Sequence, residues 1–166
     1  MRVVALALLI CGAISATVIP RLSFETLTDS SELIVSGRIA RTWTAWDSEH
    51  KYIWTHYELT ASAAFKGAPG GTVEFAEPGG SVDGRVMVIE GAVTYAPGDQ
   101  IVVFLSRMPN RYLRTTGWAQ GKYDLDSSSR LRANSPHLNY LDGISLSDFR
   151  QRIAARLRLT GQGRAQ

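Results

Sequence analysis

Cysteine is nearly missing from this chain: Cys11 is the only one in 166 residues. No disulfide can form within the chain. The fold must therefore rest on its core rather than on the cross-links that small secreted domains often use. Long apolar runs are missing too. The longest stretch, residues 3–14, is interrupted by Cys11 and Gly12 and falls short of the ~20 residues that span a bilayer as a helix. Neither sign of charge dominates. Eighteen Lys and Arg face fifteen Asp and Glu, and a net charge of +3 is too weak to imply nucleic acid or an anionic membrane as a partner. Motifs of catalysis are absent as well: no Gly-x-Ser-x-Gly elbow, no His-Glu-x-x-His, no phosphate loop. Ser, Asp and His occur, as in any chain of this length, but a triad is defined by geometry rather than by composition. The expectation is a non-enzymatic protein with no cofactor; a hydrolase with an unrecognised site around His50 and His56 is the weaker alternative.

The remaining composition is that of a globular domain. Hydrophobic residues make up 45% and charged residues 20%, which argues against disorder, and the length suits one domain with a modest core. Fifteen glycines cluster in turns, as in a β-rich chain. Met1-Arg2, the apolar run and Ser15-Ala16 follow the three-part pattern of a secretory leader. Residues 1–16 are thus expected to be a signal peptide cut after Ala16, making the protein secreted or periplasmic. Ile10 stands where a lipoprotein box needs a small residue, which argues against lipidation of Cys11. Residues 17–160 are expected to form one β-barrel domain ending in a helix, and residues 161–166 a frayed tail.

Alternation locates the strands. Leu33, Val35, Gly37, Ile39 and Trp43 fall on one face of the first long strand, and Ser36, Arg38, Ala40, Thr42 and Thr44 on the other; a period of two means one buried and one wet face. Gly37 on the inner row marks a bulge or a close crossing, or is simply a glycine the strand tolerates. In the second strand Ile53, Thr55, Tyr57, Leu59, Ala61, Ala63 and Phe65 form the core row, and Tyr52, Trp54, His56, Glu58, Thr60, Ser62 and Lys66 the opposite one. Val73 and Phe75 mark a short third strand, residues 78–84 a mobile loop, and residues 85–90 an extended segment. The unbroken apolar run Ile101-Val102-Val103-Phe104-Leu105 predicts a strand buried on both faces. Residues 112–116 and 122–126 are expected to be a final strand pair, and residues 127–136 a polar loop. Two helices frame these strands. Ser23 caps a short one over residues 22–30, with Phe24 and Leu27 on one face. Ser145 caps a C-terminal amphipathic one, with Asp148 three residues on and a stripe of Leu146, Phe149, Ile153 and Leu157.

The order of these parts resembles a group of uncharacterised secreted bacterial proteins. The likeness rests on Ser31-Glu32-Leu33-Ile34-Val35-Ser36-Gly37-Arg38-Ile39, Phe65-Lys66-Gly67, Pro78-Gly79-Gly80, Pro97-Gly98-Asp99 and Gln120-Gly121-Lys122-Tyr123. More distantly the pattern is similar to netrin-like domains and tissue inhibitors of metalloproteinases. That resemblance implies a small OB-like barrel of five to six strands with flanking helices, and a protein partner, such as a co-secreted peptidase. Those inhibitors reach the protease zinc with an N-terminal cysteine. None stands near the expected mature terminus here, so that mechanism does not carry over.

Three candidate sites remain. Asp47, Glu49, His50 and His56, with the distant His137, carry metal-ligating groups, but their spacing fits no zinc motif and suits a solvated loop better. Trp46, Tyr52, Trp54 and His56 are the candidate binding residues. Exposed aromatics anchor protein partners or stack on sugars; alternatively a loop or helix covers them as a second small core. Arg150, Arg152, Arg156 and Arg158 ring the last helix, where a solvated face is the ordinary explanation and a membrane-surface role the weaker one. The strands carry too few positive charges for the basic groove of a single-strand binder, so neither nucleic acid nor a stable membrane anchor is expected.

Overall fold

The computed structural model describes residues 20–134 and 139–161; the expected leader (residues 1–16), His137 and most of the tail lie outside them. The chain is mainly β. Helix α1 (Phe24–Ser30) leads into β1 (Leu33–Trp46), and β2 (Ile53–Lys66), β3 (Thr72–Pro78), β4 (Gly80–Val82) and β5 (Arg85–Met87) follow. Next come β6 (Gln100–Arg107), β7 (Leu113–Thr115), a 3-10 turn (Trp118–Gly121), β8 (Lys122–Leu125), β9 (Leu131–Ala133), a second 3-10 turn (Asn139–Leu141) and α2 (Leu146–Thr160). Seven strands form one antiparallel sheet in the order β3-β2-β1-β6-β8-β9, with β7 also paired to β6. No closed barrel is found: the strand ladder stops at β3 and does not join β7 among the described residues.

Both helices start where the sequence says they should. The Ser23 hydroxyl accepts the Thr26 N–H at 3.1 Å, and the Ser145 hydroxyl accepts the Asp148 N–H at 3.1 Å. At the far end of α1, Lys66 Nζ donates to the Thr28 and Asp29 carbonyls at 2.8 and 3.0 Å, placing a cation on the negative pole of the helix. The two helices are tied by the Arg156–Asp29 ion pair, whose hydrogen bonds hold the Asp29 carboxyl below its ordinary pKa.

Two cores lie on opposite sides of the sheet. One, inside its curl, contains Val35, Ile39, Tyr57, Leu59, Phe75, Tyr95 and Val103. The other contains Leu27, Ile34, Phe65, Val102, Phe104, Phe149 and Ile153, and is roofed by α1 and α2. β6 runs between them: Ile101 through Leu105 are all fully buried, as the unbroken apolar run predicts. β1 shares this position, and here the one-wet-face expectation fails. Ile34 and Ser36 are buried as fully as Val35, because the helices cover that face.

Bulges account for the other departures in the long strands. Between Ser36 and Gly37 the pairing changes from Ser36↔Ala63 to Gly37↔Ala61, leaving Ser62 unpaired. One extra residue reverses the faces that follow it. Ala63 and Phe65 therefore join the helical core rather than the row of Tyr57 and Leu59. Of the two further shifts, one between Ile34 and Val35 leaves Phe65 unpaired; the other, between Ile39 and Arg41, leaves Ala40 unpaired and pairs Trp43 with His56, which puts Trp43 on the outer face rather than with Val35 and Ile39. Gly37 is what allows the strands to close at the first bulge. A Cβ there would stand 2.2 Å from the Thr60 carbonyl oxygen and 3.0 Å from Ala61 Cα. Gly37→Ala must push backbone away from backbone, and it is expected to cost about 3 kcal/mol, the upper end for overpacking; urea unfolding measures it.

Three loop expectations change as well. Residues 78–84 are not simply a loop, since Gly80–Val82 pairs with Arg85–Met87 as a hairpin. β7 and β8 do not pair with each other; both pair with β6. The polar stretch 127–136 contains β9, paired with β8.

Candidate functional site

The structure separates the four candidate binding residues. Trp54 and His56 lie on the outer face of β2, opposite Ala45 and Trp43 of β1. Trp46 pairs with Ile53 and so faces the other way, where it stacks on His50 with ring centroids 6.3 Å apart. Tyr52 sits just before β2 and is 55% exposed. No single platform of Trp46, Tyr52 and Trp54 exists. His56 is only 7% exposed, and Trp54 is half-buried. What covers them is Tyr112, from the turn between β6 and β7: its ring meets Trp54 edge-on at 5.2 Å and His56 at 5.3 Å. On the other side His56 stacks on Trp43 at 5.3 Å, and the Arg41 guanidinium lies 4.5 Å from the centre of the Trp43 ring. Trp54 and His56 pack with Trp43 and Tyr112 as a small outer cluster, which Trp46 and Tyr52 do not join.

The metal candidates also part. Asp47 accepts the Lys51 N–H at 2.8 Å, Glu49 pairs with Lys51 at 2.7 Å, and His56 points away from both on the outer face. Among the described residues no three metal-ligating side chains come together.

Two features that sequence reasoning passed over define the functional geography. The first is the seam between β3 and β7. Thr55 of β2 pairs with Glu77, on the same inward parity as Val73 and Phe75, and Glu77 is 1% exposed. Its carboxylate accepts the Thr115 N–H at 2.7 Å and the Arg114 guanidinium at 3.1 Å. Thr115 Oγ1 in turn lies 2.6 Å from the Tyr95 hydroxyl. A side chain thus holds β7 to β3 where a ladder bond would otherwise be needed. Burial pushes the Glu77 carboxyl above its ordinary pKa of 4.5, outweighing Thr115 and Arg114, and it raises Tyr95 well above the phenol range. The inward row Val73, Phe75, Glu77 was the available signal, since an acid on a core row has to be partnered.

The second feature is the β4–β5 hairpin. It lies along the tip of the β1–β2 ribbon: Thr44 Oγ1 donates to the Ser81 carbonyl at 2.5 Å and Thr55 Oγ1 to the Gly79 carbonyl at 2.7 Å. Arg85 reaches to 6.0 Å from the Trp46 ring centre. A Cβ on Gly80 would meet Thr44, Thr55 and Ile53 within 3.3 Å, so only glycine lets the hairpin lie this close. β5 pairs with β4 alone, and Val86 and Val88 stand 71% and 83% exposed. Together with Tyr52 they place most of the strongly exposed large apolar side chains at this end of the molecule.

No protein-family model, no curated protein and no solved structure matches the chain. No helix among the described residues is long and apolar enough to cross a membrane.

Proposed function

We propose that this chain is an exported, non-enzymatic binding module with an OB-like barrel, and that it binds a protein partner through the end built by the β1–β2 and β4–β5 hairpins. The strand order β3-β2-β1-β6-β7, with β7 brought back beside β3 by Glu77, supports the OB-like part. It is the order of a five-stranded Greek-key barrel that stays partly open. The distant resemblance to exported protease inhibitors makes a co-exported peptidase the first partner class to try.

The observation that carries the proposal is the unprotected edge of β5. Proteins usually blunt such an edge with charge, proline or a cover, because its free N–H and C=O groups pair with other chains. Here Val86 on the edge strand and Val88 just past its end stand in the open, with Tyr52 at the same end. An extended partner segment can pair with such an edge and bury alternate side chains on the valines. The carbohydrate alternative is served less well, since Trp46, Tyr52 and Trp54 do not share a face.

The test is a double variant, Val86→Asp with Val88→Asp. Substitution of such exposed side chains is expected to change stability by no more than about 0.5 kcal/mol. The loss of the central apolar anchors is expected to weaken capture of the partner by roughly tenfold or more. Pull-downs from the exported fraction with wild-type and variant protein measure it. A partner retained equally well by the variant would remove this end from consideration.

A further inference from the structure

Two to three residues before the Glu77–Thr115 contact, on both strands, the seam opens into a cleft of about 210 Å³ between the free edge of β3 and the β6–β7 turn. That volume is below the range of drug-sized pockets, ~300–1,000 Å³, and suits a compact ligand. His56 and Glu74 line it from the sheet, and Arg107, Arg111 and Tyr112 from the turn.

The hydrogen bonds show which groups are committed and which are free. His56 Nδ1 lies 3.1 Å from Glu74 Oε1. An ionised carboxylate can only accept, so Nδ1 carries the proton. The second ring nitrogen, on a side chain 9% exposed, has no partner among the described residues. Glu74 keeps one oxygen uncommitted, and its side chain is 58% exposed. Arg107 is committed to its own turn and to a counter-charge: Nε and Nη2 bind Glu32, and Nη1 donates to the Arg111 carbonyl at 3.0 Å. It braces the turn, and its charge is paired with Glu32. Arg111 is the available cation. Its φ of 70° is uncommon for a residue with a side chain, and among the described residues its guanidinium has no partner.

The cleft therefore offers one free carboxylate oxygen, one free guanidinium and one unpartnered ring nitrogen. A bare anion would meet Glu74, and a bare cation would meet Arg111. A ligand carrying both charges satisfies both groups. We propose that this cleft binds a small zwitterion of the amino-acid class, its ammonium group on Glu74 and its carboxylate on Arg111. A planar carboxylate fits the guanidinium fork. This site is separate from the valine edge and does not depend on it.

The experiment is a titration of ¹⁵N-labelled protein, followed by amide shifts, with alanine, N-acetylalanine and alaninamide. Alanine carries both charges; each of the other two lacks one. Saturating shifts are expected at residues 74–76 and 111–113 with alanine, with affinity lower by roughly tenfold or more for both capped forms. Arg111→Asn, chosen because asparagine tolerates positive φ, and Glu74→Gln are each expected to weaken alanine by a similar factor while distant amide shifts stay in place. Three results would each overturn the proposal: no saturating shift with alanine, equal affinity for a capped form, or unchanged affinity in either variant.

Discussion

Glu77→Ala is expected to destabilise the protein by about 3–5 kcal/mol, the cost of removing one partner from a buried ion pair. The carboxylate is 1% exposed, and its removal strands two groups at once. The Thr115 N–H loses its acceptor, and the Arg114 guanidinium, 13% exposed, loses its counter-charge. Arg114 still lies 4.7 Å from the Trp118 ring centre, which limits the loss without replacing the anion. Urea unfolding gives the size of the change, and faster hydrogen exchange at Thr115 would localise it to the seam. Glu77→Gln separates the two roles, since it keeps an acceptor for Thr115 and discards the charge. The sign with pH follows from linkage. Burial raises the folded-state pKa of Glu77 above 4.5, so in the window between that raised value and 4.5 the native state binds the proton and the unfolded chain does not. Stability from this group therefore rises as pH falls through the window. Wild type is expected to gain relative to Glu77→Gln as pH drops from neutrality toward 4.5. A stability difference that stays flat across that range would show that the carboxyl is not titrating against its burial. Below the window Asp29 and Asp126 act in the opposite sense. Their pKa values are lowered, Asp29 chiefly by its hydrogen bond from Arg156 and Asp126 by backbone N–H groups, and the stability they contribute is lost on protonation.

Much of the fold was legible because its signals are local. Ser23 and Ser145 cap the helices they were expected to cap, and the uninterrupted run at residues 101–105 proved to be a strand between two cores. What failed was parity over distance. A period of two carries no record of an extra residue, so the rows through Ala63, Phe65 and Trp43 were extended past bulges at Ser62 and Ala40. The row containing Ile34 and Ser36 looks wet because α2, which covers it together with α1, lies far along the chain. For the candidate sites the limitation was pairing. His56, Trp54 and Tyr52 were read as neighbours from their spacing. The group that packs on two of them, Tyr112, comes from a turn more than fifty residues away in sequence. Glu77 was visible as an acid on an apolar row, but its partners, Arg114 and Thr115, lie on a strand that only the folded chain brings beside it.

The second large effect is expected on the opposite side of the sheet. Phe149 of α2 is fully buried, edge-on to Phe65 at 4.9 Å and to Phe104 at 5.8 Å. Phe149→Ala removes the ring that joins the helix to β2 and β6 together, with an expected cost of about 3–5 kcal/mol. Loss of the Ser145 cap, by contrast, is worth about 1 kcal/mol, so docking rather than local helix stability holds α2 in place. For a chain of this size the loss corresponds to a fall in melting temperature of roughly 10 °C. Exchange should rise first in α2, then in the parts of β1 and β6 beneath it. Glu77 and Phe149 share no partner and face different cores, so their effects should be independent. The double variant Phe149→Ala with Glu77→Gln is expected to match the sum of the single changes to within about 0.5 kcal/mol. A larger discrepancy would mean that the sheet transmits strain from the helical core to the seam. In that case the bulge at Gly37, where a Cβ finds no room against the backbone of β2, is the place where it would cross.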